Sequence, residues 1–397
     1  MDNDIKSSVI CQCLNGLGIS GYRSVFLDHR SRKLTTGTAI ELHVVAQLLQ
    51  LGSYDLLTEQ LKARPELQAA VGLDTISNSS LTRKLKVICT ESLQNLFLGL
   101  VQQIQALTAD QKAASPNIGR LHLVDATDIS LPTLLGRWAR CGERKTGVRL
   151  HVRLVAVSPD ALYPDKVIAS TSSVREAVVA CELVTDENAT YVMDRGYEKH
   201  KDLEAWLQQE KKFVVRIRDR TKPVPMEETR RATLPSEGNV TILEDVDVQL
   251  TKIAGRLRLV AFMDRKGRTY RVLTNRWDVT AAEVAQIYKS RWLIELFFKW
   301  VKQHLNLVRL YSKDPEAVWN QLFLSLIAYA VSLLVKLRLG TTKTQWAVLK
   351  LLRTYWYDSW EKFLAALNRK PKVFSKGRQK VEGKKKPPPT PQRIILR

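Results

Sequence analysis

The chain has 397 residues, 45% of them hydrophobic, enough for a sizeable core and two or three domains. Its 62 Lys and Arg against 40 Asp and Glu leave a formal net charge of +22, which opposes compaction unless a polyanion shares the surface and so favours a nucleic-acid partner over a ribosome-associated or membrane-surface role. Five cysteines in no zinc-ribbon or disulfide spacing, and six histidines in no ligand-spaced cluster, exclude a zinc enzyme and a disulfide scaffold and suit free thiols in a reducing cytoplasm.

The N-terminus MDNDIKSSVI has no basic stretch leading into an apolar core, so no signal peptide is expected. Residues 1–118 read as helical and as a DNA-binding domain. An amphipathic pattern runs over 39–51 to Gly52, continues over 55–67, and breaks or bends at Pro65. Ser and Asn residues at 77–80 offer caps to a helix running on toward Leu107. Its Arg83 and Lys84 make it a candidate recognition helix of a helix-turn-helix, with an ordinary capped helix as the bland alternative.

At Leu121 the texture changes. LHLVDATDISL and RLHVRLVAVS predict two strands, 174–184 a helix, ATYVMDRGY a strand ending at Asp194, 198–211 a helix and FVVRIR a strand. That is a mixed α/β core over 119–218. Residues 219–277 read as a β-rich insertion whose turns include Asp264-Arg265-Lys266-Gly267. Residues 278–340 are core helices, and 341–397 a helical C-terminal region with a basic, Pro-rich tail expected to be disordered. No apolar run reaches about 18 residues without a charge, so no membrane span is expected; residues 321–335 come closest.

Three acids stand out by position. Asp125 lies inside the apolar strand LHLVDAT, where a carboxylate is costly unless a partner or metal compensates it. Asp194 ends a strand, where ligands of α/β sheets gather, and Gly196 would allow a sharp turn or close approach of a phosphate. Glu295 lies in QIYKSRWLIELFFKWVKQHL. On one continuous helix at about 100° per residue, Tyr288, Arg291, Glu295, Lys299 and Lys302 share a stripe about 80° wide on an otherwise apolar surface. That stripe reads either as a metal ligand beside phosphate contacts or as a solvated face with an Arg291–Glu295 pair. Two divalent ions about 4 Å apart can serve both ends of an in-line phosphodiester displacement, and two Asp and one Glu from separate elements can hold them.

These residues resemble a known family. Asp194-Arg195-Gly196-Tyr197 matches the DRGY motif of insertion sequence 4 family transposases. Tyr288, Arg291, Glu295 and Lys302 match that family's Y-(2)-R-(3)-E-(6)-K signature at every interval. VDAT around Asp125 is similar to the first-aspartate strand, with Ala126 in place of the usual glycine and Asp128 a rival three residues on. The resemblance covers roughly residues 120–335. It implies an RNase H-like core with a β insertion and a catalytic, metal-binding triad of Asp125, Asp194 and Glu295. It also implies Mg2+ (two ions, with Mn2+ able to substitute) and DNA contacts from Tyr288, Arg291 and Lys302. Arg195 and Tyr197 would support the site or join the DNA contacts, and Lys299 lies on the same stripe. Some relatives hold a flipped base against a tryptophan; Trp277 and Trp292 are candidates here but read better as core aromatics.

The expectation is therefore a bacterial, cytoplasmic, nucleoid-associated DDE transposase. It would cut at terminal inverted repeats and join the ends to target DNA, acting as a homodimer on double-stranded DNA, with no membrane. The alternatives are a transposase-derived DNA-binding protein without catalysis and a nuclease on the same fold that cuts without joining.

Overall fold

The computed structural model describes residues 8–109, 118–133, 136–143, 145–158, 161–226 and 240–369. The basic tail expected beyond Lys370 lies outside them.

Six helices come first: α1 (Val9–Asn15), α2 (Thr36–Leu48), α3 (Tyr54–Ala63), α4 (Pro65–Val71), α5 (Asn78–Val87) and α6 (Thr90–Thr108). The bend expected at Pro65 is a full break, with the proline opening α4 where its missing N–H costs nothing. The single helix expected from 77 toward 107 is in fact two, α5 and α6. The break is held from elsewhere: the buried amide of Asn320 donates to the carbonyls of Leu85 (2.8 Å) and Ile88 (2.7 Å), and its oxygen accepts from the Thr90 hydroxyl.

The core is a mixed nine-stranded sheet of β1 (Arg120–Ser130), β2 (Gly147–Ser158), β3 (Ala161–Thr171), β4 (Ala189–Met193), β5 (Lys212–Arg216), β6 (Val224–Pro225), β7 (Val240–Gln249), β8 (Leu257–Asp264) and β9 (Thr269–Thr274), in the order β3-β2-β1-β4-β5-β9-β8-β7-β6. β1, β4 and β5 run parallel, and the other pairings are antiparallel. Sequence reading missed β3, because Pro164 demotes a strand pattern. The strand survives by lying at the sheet edge, with a register shift opposite Arg153 and Leu154. The β-rich segment 219–277 is not a detached module: its strands extend the same sheet from β5 onward. Its Asp264 turn forms as expected, the side chain accepting from the N–H groups of Lys266 and Arg268.

Helices α7 (Glu176–Leu183) and α8 (His200–Gln208) link the parallel strands. Then follow α9 (Ala281–Lys289), α10 (Trp292–His304), α11 (Pro315–Arg338), α12 (Gln345–Thr354) and α13 (Trp360–Leu367). α11 is long and apolar enough to cross a membrane, but 89% of its apolar window is buried inside the fold, between α2, α5 and α6. It is the axis joining the N-terminal helices to the sheet: Tyr329 on α11 donates to the Leu162 carbonyl of β3 at 2.7 Å.

Candidate active site

The register of two strands brings the first two acids together. Val124 of β1 pairs with Met193 of β4, so the next residues, Asp125 and Asp194, stand at neighbouring positions where β4 ends. Ligands of parallel sheets collect at such carboxyl ends. Each carboxylate accepts a hydrogen bond from the next backbone N–H, Asp125 from Ala126 (2.8 Å) and Asp194 from Arg195 (2.7 Å). Asp194 thereby caps a single 3-10 turn over Arg195–Tyr197.

Glu295 arrives by a different route. The continuous helix expected through 281–305 is interrupted between α9 and α10. Arg291, Leu293 and Ile294 donate to the carbonyls three residues back (Tyr288, Ser290 and Arg291), a tightened 3-10 turn, and the Ser290 hydroxyl donates to Gln286. The turn splits the expected stripe. Arg291 swings inward and bridges two acids, donating from Nη1 to Asp125 at 3.1 Å and from Nη2 to Glu295 at 2.5 Å. The Asp125 and Arg291 side chains are largely buried (18% and 16% exposed), whereas Glu295 is 47% exposed. Burial lifts the Asp125 carboxyl to a pKa of about 6, against the pull of the Ala126 N–H and Arg291. On the other flank, Arg216 at the end of β5 approaches Asp194 at 3.9 Å.

Several expected DNA contacts sit elsewhere than on an open surface. Tyr288 is buried, its ring 5.7 Å from Tyr270 and 6.2 Å from Phe262, and burial pushes its phenol up to about 12; it packs under the site. Tyr197 is fully buried and likewise cannot meet DNA. Lys84 is buried in an ion pair with Asp28 and also donates to the Leu27 carbonyl at 3.2 Å, so it is a core residue of the N-terminal helices. Lys302 is half-buried, its amine on the Asp128 carbonyl at 2.7 Å. Arg83, Arg195 and Lys299 are exposed. Asp128, the rival to Asp125, accepts from Nε and Nη2 of Arg149 at 2.9 and 2.8 Å. Trp277 and Trp292 are not core aromatics: they are 39% and 58% exposed, and Arg256 lies 4.7 Å over the Trp277 ring.

The role expected of Gly196 also changes. A Cβ there would lie 1.9 Å from Oε2 of Glu176, so glycine leaves room for a carboxylate, and the position requires no left-handed backbone. Glu176 and Arg216 were both missed by sequence reading. Arg216 carried one weak signal, a charge at the end of an apolar strand. As they lie, no three Asp, Glu, His or Cys side chains among the described residues are close enough to hold one metal ion.

Two aspartates thus stand side by side at the ends of neighbouring parallel strands, with a glutamate reached through a shared arginine. The family model described as the transposase DDE domain matches residues 118–331, and the chain belongs to that family. It is 28% identical over 316 residues, 78% of each chain, to the protein provisionally named the transposase for insertion sequence element IS5377 of Geobacillus stearothermophilus. It is 30% identical over 227 residues, 56% of this chain and 62% of the relative, to the protein y4zB of Sinorhizobium fredii, provisionally named a transposase. Members of this family are insertion-sequence transposases that generally use divalent metal ions.

Proposed function

We propose that this protein is a cut-and-paste DNA transposase of the insertion sequence 4 family, built on an RNase H-like core. It cleaves at terminal inverted repeats and transfers the freed 3′ ends to target DNA with Mg2+. The observation that carries the proposal is that Asp125 and Asp194 directly follow the Val124–Met193 pair of two parallel strands, with Glu295 tethered to Asp125 through Arg291. The sheet order β3-β2-β1-β4-β5 supports the core assignment.

The residues suit a divalent cation. Hard cations take oxygen donors, and the guanidinium of Arg291 already supplies positive charge between Asp125 and Glu295, where an ion would relieve the same repulsion. Two such ions, when bound, activate the attacking water or hydroxyl and stabilise the leaving oxygen. The chain's own part is positioning. Asp125 and Asp194 are fixed by the sheet, while Glu295, more exposed and on a helix start, is free to leave Arg291. The released guanidinium then turns to a phosphate, which matches its fork geometry as well as a carboxylate does. Exposed Arg195 and Lys299, and Lys302 once freed from Asp128, hold the DNA backbone beside the acids. Arg83 on α5 extends that contact from the N-terminal helices, residues 1–118 serving as the DNA-binding domain. The protein works as a homodimer on two DNA ends, in the bacterial cytoplasm at the nucleoid.

The test is cleavage and joining in one reaction, with labelled DNA carrying the element's terminal repeats, a target plasmid, and either Mg2+ or EDTA. Metal-dependent 3′-end cleavage with covalent joining is the expected result. Cleavage alone would make the protein a nuclease, and tight binding with neither reaction would make it a non-catalytic descendant.

A further inference from the structure

Glu176 opens α7, a position where an acid ordinarily faces solvent and favours the helix dipole. Here its carboxylate instead folds back over Gly196, filling the space a side chain at 196 would need. It is half-buried, and it has no hydrogen-bond or ion-pair partner of its own among the described residues. The cation that acts on it, Arg149, is committed to Asp128 through Nε and Nη2 and to the Val174 carbonyl through Nη1 at 3.1 Å. The charges that act on Glu176 include Asp194 and Asp128, and Glu176 in turn acts on Asp125.

A second observation points the same way. Tyr197 is fully buried, and its hydroxyl has no hydrogen-bond partner among the described residues. The charges around that phenol are Asp125, Glu176 and Asp194, opposed by Arg149. A buried hydroxyl without a partner costs free energy, and it sits among three carboxylates that repel one another. A cation with its bound water relieves both: the ion offsets the repulsion, and a water or reoriented carboxylate accepts from the phenol.

We propose that Glu176 is a fourth carboxylate of the cation site, holding, with Asp194, one of the two divalent ions, and that the Tyr197 hydroxyl orients that half of the site. The proposal rests on the divalent-metal reading above. It accounts for the glycine in the Asp-Arg-Gly-Tyr motif as the space through which Glu176 reaches the acids.

The test is a Mn2+ titration of the full-length protein followed by electron paramagnetic resonance, carried into the millimolar range without DNA, so that no activity is needed. The wild type should bind two ions. Glu176→Gln should lose one or bind it at least tenfold more weakly, while unfolding no more easily than the wild type in the absence of metal. Gly196→Ala, which pushes Glu176 aside, should lose the same ion, and Glu176→Asp should recover part of the affinity. If Asp194→Asn abolishes uptake but Glu176→Gln titrates like the wild type, the fourth-carboxylate assignment is wrong and the metal reading stands. If the wild type takes up no Mn2+, both fail.

Discussion

Two buried polar regions of this molecule treat hydrogen bonding in opposite ways. Along α11, Asn320 and Gln321 are fully employed: each amide donates to two carbonyls and accepts one bond. They tie the α5–α6 break and the segment after α10 to the central helix. Neighbouring Gln47 and Asn306 each leave one atom over, but on side chains that already make two or more bonds. Around the acids, by contrast, the Tyr197 hydroxyl makes no hydrogen bond among the described residues. The first region is nearly saturated by its own side chains, whereas the second leaves a whole side-chain hydroxyl unbonded, which fits the site proposed above.

The comparison can be broken by mutation. The largest effect belongs to the acids: Asp125→Asn, Asp194→Asn and Glu295→Gln should each lower cleavage by on the order of a thousandfold or more with DNA binding retained. Metal-dependent cutting that survives in one variant would remove that residue from the set. Asn320→Ala should do the reverse, costing about 3 kcal/mol in urea denaturation by orphaning buried groups, with little effect on chemistry in the protein that remains folded. Lys84→Ala should likewise cost about 3 kcal/mol, since it strands Asp28 in the interior; Arg83→Ala should leave stability within about 0.5 kcal/mol and weaken DNA binding. Weakened DNA binding in Lys84→Ala at full stability would restore Lys84 to the DNA surface.

Smaller is the pH signature of the same pair. Burial alone would raise the Asp28 pKa, but Lys84 and the N–H groups of Thr36 and Ser24 outweigh it and lower it from 3.8 to about 2. An acid depressed on folding contributes stability that is present above its unfolded pKa and lost as pH falls through about 2, here about 2 kcal/mol. Asp28→Asn should flatten the acid limb of the stability curve by that amount. The smallest shift is expected of Tyr197→Phe, neutral or stabilising by up to about 1 kcal/mol because it removes a hydroxyl with nothing to bond; a loss of 2 kcal/mol or more would show that the phenol is already satisfied.

Local chemistry was legible from residue order alone. Alternation marked β1, runs of strand formers marked β2 and β4, capping residues marked the start of α5, and residues 321–335 stood out as an apolar run too short to span a membrane. The spacing of Tyr288, Arg291, Glu295 and Lys302 told which residues belong together. It could not tell which way each one faces, because a 3-10 turn at Ser290 and Arg291 shifts the helical phase between them. Tyr288 therefore went into the core and Arg291 onto two acids. Pro164 hid an edge strand whose existence depends on having a neighbour on one side only. Glu176 was invisible for a related reason: it lies 18 residues before Asp194 in the chain, and only the crossover from β3 through α7 to β4 lays it over Gly196. Residue order determines which groups are costly to bury; the tertiary structure decides which of those costs are met by a neighbour and which are left for a ligand, because partners of buried charges come from distant parts of the chain.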